Sequence, residues 1–405
     1  MLRSRRQVFA VRSMAARPSP AEAAAAAAKP PLVGRAWVDA APSPSSSTPL
    51  VSLRVVTYNM LAQCYTRSTW QTWSEPACLK WKRRSASLLQ ELVALRPDVA
   101  FLQEVDDWPH WEAALAKHGL VGRWKKRTRR KRDGCAVVWR ADVLEAESFC
   151  ELEHNVLADA FPPDGAAPAA GVAAGDEAAK DATPASSQPD ALPEDNGEPS
   201  GPRARLERDS VGLFVCFKLR GASANASSLG DAIRFFAATT HLYWDPRLAD
   251  VKLAQAKHTL SQLAAFVSAS PLSSSQPVRI LLGGDFNSTP GSEVHEALLA
   301  AHTVDALSTG ADDGQAAPPA VADGSRPPPL APLPRLRSAY GPAEPALSTH
   351  TPTFTACIDY LLHSEGGLRV SRFLAPPDKG TLGKGLPDAR HPSDHLPLAA
   401  DIFIV

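Results

Sequence analysis

Short β-rich apolar runs recur along this chain, and they end on an acid, an amide or a histidine. Leu53-Arg54-Val55-Val56-Thr57-Tyr58 stops at Asn59, Val99-Ala100-Phe101-Leu102 at Gln103-Glu104, and Ile233 to Thr240 at His241. Val278-Arg279-Ile280-Leu281-Leu282 runs into Gly283-Gly284-Asp285-Phe286-Asn287-Ser288. Runs of this length suit buried strands. Lys82 to Leu95, with apolar Ala86, Leu89, Leu92 and Val93 among charged residues, carries a helical period instead, and Pro97 ends it. Asp250 to Phe266 and a segment starting at Glu293 also read as helices. Gly134 to Trp139, Ser210 to Phe217, Phe354 to Leu362 and Leu398 to Val405 read as further strands. The alternation predicts an α/β fold whose polar groups collect where strand ends converge.

Asp285 and Asn287 are two residues apart, so on an extended chain they point the same way. Any one strand-terminal Asp, Asn or His also suits a plain turn. Taken together, Asn59, Glu104, His241, Asp285, Asn287, Asp359, Asp394 and His395 suit one task. Carboxylate and amide oxygens without a thiol make a hard-cation site, for which Mg²⁺ or Mn²⁺ is the natural occupant. Such ions are the common apparatus of phosphoester hydrolysis.

The folded part is smaller than the 405 residues. Residues 1–48, 158–205 and 308–338 are dominated by Ala, Pro, Ser and Gly, too poor in apolar side chains to offset ordering entropy. They are read as a disordered leader and two insertions in one catalytic domain spanning 49–405. Residues 1–21 carry Arg3, Arg5, Arg6, Arg12 and Arg17, with no acid before Glu22. That is the composition of a mitochondrial or chloroplast transit peptide, and equally of an Ala-rich extension on a cytoplasmic or nuclear protein.

The formal net charge is zero, yet eight of the ten residues from Arg123 to Arg132 are Lys or Arg. A run of this kind suits phosphate contact or nuclear import, and is otherwise a solvated charge run. The six cysteines form no C-x-x-C pair, which argues against structural zinc and a disulfide framework and fits a reducing compartment. No apolar run reaches the roughly 18 residues that a bilayer span needs, so no membrane partner is expected.

Thr57-Tyr58-Asn59-Met60-Leu61, Leu102-Gln103-Glu104-Val105, Thr240-His241-Leu242, Gly284-Asp285-Phe286-Asn287-Ser288, Ile358-Asp359-Tyr360 and Ser393-Asp394-His395 follow one another in a recognisable order. In this the chain resembles the endonuclease/exonuclease/phosphatase superfamily. Asp133-Gly134-Cys135-Ala136 and the segment His241 to Gln255, with Trp244-Asp245-Pro246, resemble its carbon-catabolite-repressor-type poly(A) deadenylases, relatives of nocturnin and Angel. The likeness is to a plant or algal-type member. The yeast type has a leucine-rich repeat region, and no such pattern appears before residue 51, so docking to a deadenylase complex by that route is not expected.

The resemblance implies a four-layer α/β sandwich of two mixed β-sheets flanked by helices. It implies two Mg²⁺ ions, replaceable by Mn²⁺, one held by Glu104 with Asn59 and the other near Asp285, Asn287 and His395. Asp285 would deprotonate the attacking water and Asn287 hold it in line. His395 would donate to the scissile phosphate, oriented by Asp359, while Asp394 would join the metal or His-support shell and His241 contact phosphate. Phe354 and Pro246 would hold the terminal adenine. The expected activity is 3′–5′ exoribonucleolytic shortening of 3′ poly(A) RNA with release of 5′-AMP. Two alternatives stay open, an NADP(H) 2′-phosphatase and a non-catalytic RNA-binding protein.

Overall fold

The computed structural model describes residues 35–41, 49–161, 201–220, 233–270, 276–303 and 332–405. The strands in chain order are β1 (Trp37–Asp39), β2 (Val51–Asn59), β3 (Val99–Gln103), β4 (Leu120–Lys126), β5 (Gly134–Arg140), β6 (Leu144–Glu153) and β7 (Val211–Leu219). They continue with β8 (Arg234–His241), β9 (Ile280–Asp285), β10 (Leu336–Ser338), β11 (Thr349–His350), β12 (Thr355–Ala356), β13 (Asp359–Ser364), β14 (Leu368–Leu374) and β15 (Leu398–Ile404). Helices span Trp81–Leu95, Trp108–Ala116, Pro202–Leu206, Ala249–Ser268 and Glu293–Leu299.

One sheet has seven strands in the order β1-β14-β15-β2-β3-β5-β4, and the other six in the order β10-β13-β9-β8-β7-β6. Both are mixed, because β2–β3 and β8–β9 pair parallel among antiparallel neighbours. Period-two alternation divides each strand between two cores. Val55, Phe101, Val137, Val215, Phe217, Phe235, Leu281 and Leu361 meet between the sheets. Val56, Tyr58, Ala100 and Leu102 face outward onto Leu88, Leu92, Trp111 and Leu115 of two helices. On the far side Phe214, Phe236 and Leu282 pack on Leu260 and Leu263 of Ala249–Ser268. These are the four layers expected, and each large apolar side chain so buried contributes about 1.5–3 kcal/mol.

The sheets come close at the site end. A Cβ on Gly283 would lie 2.4 Å from the Phe101 ring, so glycine is what lets β9 approach β3. Register then aligns the polar ends: His241 is the parallel partner of Asp285, and Asp359 its antiparallel partner. One rung of the six-stranded sheet therefore carries His241, Asp285 and Asp359. Asn59 pairs with Gln103 on the other sheet, one residue before Glu104.

The segment boundaries differ from the sequence reading in three places. The leader expected over 1–48 includes β1, which pairs with β14, and the buried Arg35, which donates to the carbonyls of Leu374, Ala375 and Pro397. The insertion expected over 158–205 includes the helix Pro202–Leu206, and that over 308–338 includes β10, paired with β13. Residues 1–34, among them the Arg-rich 1–21, and residues 42–48, 162–200 and 308–331 of those segments lie outside the described residues. Phe354 to Leu362 is not one strand but two, β12 and β13. Among the described residues no helix is long and apolar enough to cross a membrane. All six cysteines are free.

Candidate active site

Asp285 ends β9 fully buried, and four groups converge on it. Asn59 Nδ2 donates to its Oδ2 at 2.9 Å, and the backbone N–H of Asn287 donates to its Oδ1 at 2.9 Å. His241 Nε2 and His395 Nε2 approach Oδ2 at 3.5 and 3.7 Å. Burial, and then the Asp359 charge, raise the Asp285 pKa to about 7.

The two histidines are held by opposite means. His395 Nδ1 lies 2.7 Å from Asp359 Oδ2, which also accepts from Ser348 Oγ at 2.6 Å. Burial works against protonating His395, but the carboxylates of Asp359, Asp285 and Asp394 override it and hold its pKa well above the ordinary value. His241 Nδ1 lies 2.8 Å from an Arg127 Nη. A guanidinium only donates, so Nδ1 accepts and the proton sits on Nε2, facing Asp285. Burial, and then the Arg127 charge, push the His241 pKa well below its ordinary value. Arg127 is fixed in turn by Asp133, at 3.0 Å to Oδ2, while Tyr65 donates to Oδ1 at 2.8 Å. Gly134 lets the hairpin close there, since a Cβ would fall 2.1 Å from the Lys125 carbonyl oxygen.

Glu104 follows β3 in the left-handed region, φ 53°, an uncommon conformation for a residue with a long side chain. Its Oε1 accepts from Asn59 Nδ2 at 3.0 Å and its Oε2 from the Ala62 N–H at 3.0 Å. Asn59 thus turns its amide N–H groups to Glu104 and Asp285 together, while its Oδ1 accepts from the Leu61 N–H at 3.0 Å. In this orientation Asn59 clamps two carboxylates. Asn287, φ 48°, donates from Nδ2 to the Leu242 carbonyl at 3.0 Å. Lys252, buried in the helix Ala249–Ser268, donates to the Asn287 carbonyl at 2.9 Å.

Asp394 is buried beside this cluster, its side chain accepting from Ser393 Oγ at 3.4 Å and its charge among those that raise the His395 pKa. Ser393 Oγ also donates to the Asn59 carbonyl at 2.7 Å, tying the last motif to the end of β2. Phe354 is half-buried at the tip of the β11–β12 hairpin, whose Thr349 pairs with His395. Pro246, also half-buried, opens a single 3-10 turn capped by Asp245. Trp139 belongs to the core between the sheets, whereas Trp244 is half-buried with an indole N–H that finds no acceptor among the described residues.

Among the described residues, one cluster of metal-binding size brings ligand atoms of Asp285, Asp359 and His395 within 4.8 Å of one another. Asp359 Oδ1 is buried and has no hydrogen-bond partner among the described residues. Buried carboxylates without thiols, one with an unpartnered oxygen, are the donor set of a hard divalent cation, which would relieve their mutual repulsion. The residues fit such an ion, with Glu104 brought alongside by Asn59.

Sequence reasoning missed Arg127, Asp133, Ser348 and Lys252 as parts of this site. Asp133 and Lys252 lie inside motifs already conspicuous in the sequence, and Arg127 inside the basic run.

Residues 56–395 match the Endonuclease/Exonuclease/phosphatase family. Carbon catabolite repressor protein 4 homolog 4 of Arabidopsis thaliana is 34% identical over 361 residues, covering 87% of this chain and 78% of that protein. The CCR4-Not complex 3′-5′-exoribonuclease subunit Ccr4 of Saccharomyces cerevisiae is 27% identical, over 85% of this chain and only 38% of its own length. Among solved structures, ANGEL2, described as a 2′,3′-cyclic phosphatase, superposes with a TM-score of 0.64 at 22% identity, over 91% of this chain and 98% of that one. The human Nocturnin catalytic domain does so with a TM-score of 0.55 at 18% identity, covering 93% of this chain and 100% of that chain. The chain belongs to the endonuclease/exonuclease/phosphatase family, among its carbon catabolite repressor 4 relatives.

Proposed function

We propose that this protein is a Mg²⁺-dependent 3′–5′ exoribonuclease that shortens poly(A) and releases 5′-AMP. The observation that carries the reading is Asp285, a buried carboxylate with raised proton affinity, set between a neutral and a protonated histidine. Residues able to accept a proton and to donate toward phosphate oxygens thereby share one small volume. A bound hard cation would supply charge neutralisation and a more acidic water, held by Glu104 and by the Asp285–Asp359 end of the six-stranded sheet.

The chain's own groups supply the rest. Asp285 takes the proton of the attacking water. The new P–O bond forms as the bond from phosphorus to the upstream ribose O3′ breaks, which leaves the terminal nucleotide as a 5′-monophosphate, and O3′ takes a proton from solvent. His395, charged and aimed by Asp359, donates from Nε2 to a non-bridging oxygen. His241 donates as a neutral imidazole. Phe354 and Pro246, on separate loops, are the residues proposed to hold adenine, by stacking and shape.

The kinship with Ccr4, named as a 3′-5′-exoribonuclease, supports RNA as substrate. A substrate panel tests it: purified protein with Mg²⁺ on 3′-oligo(A) RNA, other homopolymers, NADPH and a nucleoside 2′,3′-cyclic phosphate. Oligo(A) shortening with 5′-AMP release is expected to dominate. Folded protein that leaves oligo(A) intact while releasing phosphate from NADPH would replace this reading with a 2′-phosphatase.

A further inference from the structure

The basic run Arg123–Arg132 is not one surface. On β4, Arg123 pairs with Glu151, and Lys125 with Glu151 and Glu153, charges that are spent joining the edge strands of the two sheets. Arg127 turns inward to His241 and Asp133. Arg129 pairs with Glu207 and Asp209. Lys126, exposed at the end of β4, and the three loop cations Arg130, Lys131 and Arg132 remain, and none of the four has a carboxylate partner among the described residues. Arg130 and Arg132 are exposed and Lys131 is partly so.

These three cations stand on a fixed frame. The loop closes at its neck, where the Arg127 N–H donates to the Asp133 carbonyl at 2.9 Å, and again where the Lys131 N–H donates to the Thr128 carbonyl. Thr128 Oγ1 donates to Asp209, and Asn155 Nδ2 donates to both Thr128 Oγ1 and Asp209 Oδ1, at 3.0 and 2.9 Å. The loop is thereby pinned to the segment 207–209. That segment presents Arg208, whose guanidinium lies 5.1 Å over the Tyr243 ring and whose buried Nε has no acceptor among the described residues. Tyr243 is two residues beyond His241. The loop neck is itself the Arg127–Asp133 pair that orients His241, so the loop tip stands at the edge of the site. The Lys131 charge bears on His241, and the Arg132 charge on Cys64, together with that of Glu104.

We propose that Arg130, Lys131 and Arg132, with Arg208 beside them, form a phosphate-binding rim that takes the RNA strand upstream of the scissile linkage. This rests on the exoribonuclease reading and adds to it a path for the strand. Cations on a pinned loop at the mouth of a phosphodiesterase site suit a backbone polyanion, and they supply affinity without reading sequence. The paired cations on β4 have no part in that path, though they belong to the same run.

The difference between the two halves of the run gives the test. The doubles Arg130→Ala/Arg132→Ala and Arg123→Ala/Lys125→Ala each remove two positive charges. Each is assayed with wild type on an oligo(A) of about 20 nucleotides and on the dinucleotide ApA, over a salt series. Loss of two phosphate contacts should flatten the plot of log(kcat/KM) against log[salt] by about 1.4 for a single strand. The rim double is expected to show this, with KM on the long RNA raised roughly tenfold, kcat kept, and ApA hydrolysis unchanged. The β4 double should behave as wild type on both substrates. Equal effects of the two doubles, no change in either, or an equal loss on ApA would each overturn the rim. A wild type that shortens no RNA would overturn the exoribonuclease reading and the rim with it, whereas failure of the rim alone leaves wild-type shortening intact.

Discussion

His395 and His241 approach the same carboxylate oxygen of Asp285 from two sides, yet what stands behind each ring is opposite in charge. His395 is backed by the Asp359 carboxylate and keeps its proton; His241 is backed by the Arg127 guanidinium and stays neutral, its single proton aimed inward. A site built this way offers a charged donor and a neutral donor around one base. The cost of burying so many ionisable groups is set against the function.

The shared element is Asp285, so its replacement should have the largest effect. Asp285→Asn removes the proton acceptor and keeps the shape, and a fall in kcat of about 10²–10⁴-fold is expected. Its stability should move the other way. The folded Asp285 titrates near 7, above its unfolded value, so the folded state binds the extra proton and this group's contribution weakens as pH rises from about 4 to about 7. Above that window, without added metal, the Asn variant should melt at or above the wild-type temperature. A marked drop in its melting point would mean that Asp285 serves the fold.

The charged side of the comparison comes next. His395→Gln should lower kcat by about 10²–10³-fold, as for loss of one preorganised donor. Asp359→Asn keeps the ring but removes the charge that protonates it, and its loss should be smaller. If Asp359→Asn matches wild type at neutral pH, the carboxylate does not control His395.

On the neutral side, Arg127→Met frees His241 Nδ1 and uncovers the buried Asp133. A loss of kcat/KM of roughly tenfold is expected, the scale of one charge-assisted hydrogen bond. Arg127→Lys should recover only part of it, since lysine lacks the planar fork that bonds His241 and Asp133 at once. Full rescue by Lys would reduce the role of Arg127 to charge alone.

A third histidine arrangement, behind Thr240, should give the smallest effect. His154 Nε2 lies 3.1 Å from Thr240 Oγ1, and His258 Nδ1 lies 3.2 Å from His154 Nδ1. Burial lowers the pKa of both, that of His258 to about 4. Unfolded histidine titrates near 6.5, so the unfolded chain binds more protons below that value. Stability from these residues is complete above pH 6.5 and declines as pH falls toward 4, by at most about 1.4 kcal/mol per pH unit per histidine. The melting temperature of His258→Gln should decline less steeply than wild type from pH 6.5 to pH 5; parallel declines would place the acid sensitivity elsewhere.

What the sequence disclosed and what it hid follow from range and exposure. The buried central strands β2, β3, β8 and β9 were legible because they are apolar on both faces and end on polar residues. Edge strands were not. β4 looks like a basic run because its charges are met by Glu151 and Glu153 of β6, on the other sheet. Asp285, Asp359, His395 and His241 were legible as a group, but the supports of the histidines were not. Arg127 lies 114 positions from His241 in the chain, and no local spacing encodes that pair. Asp394, read as part of the metal or His-support shell, accepts from Ser393 and bears on His395 through its charge.

Asp285 as the shared base of a metal-assisted RNA hydrolase is tested most directly by 5′-AMP release from 3′-oligo(A) RNA. Wild type and Asp285→Asn would be assayed at matched concentration, with Mg²⁺ and with chelator. Release by wild type with Mg²⁺ alone, and loss of about 10²-fold or more in the folded variant, is the expected result. Equal release by both proteins, or undiminished release in chelator, would contradict it.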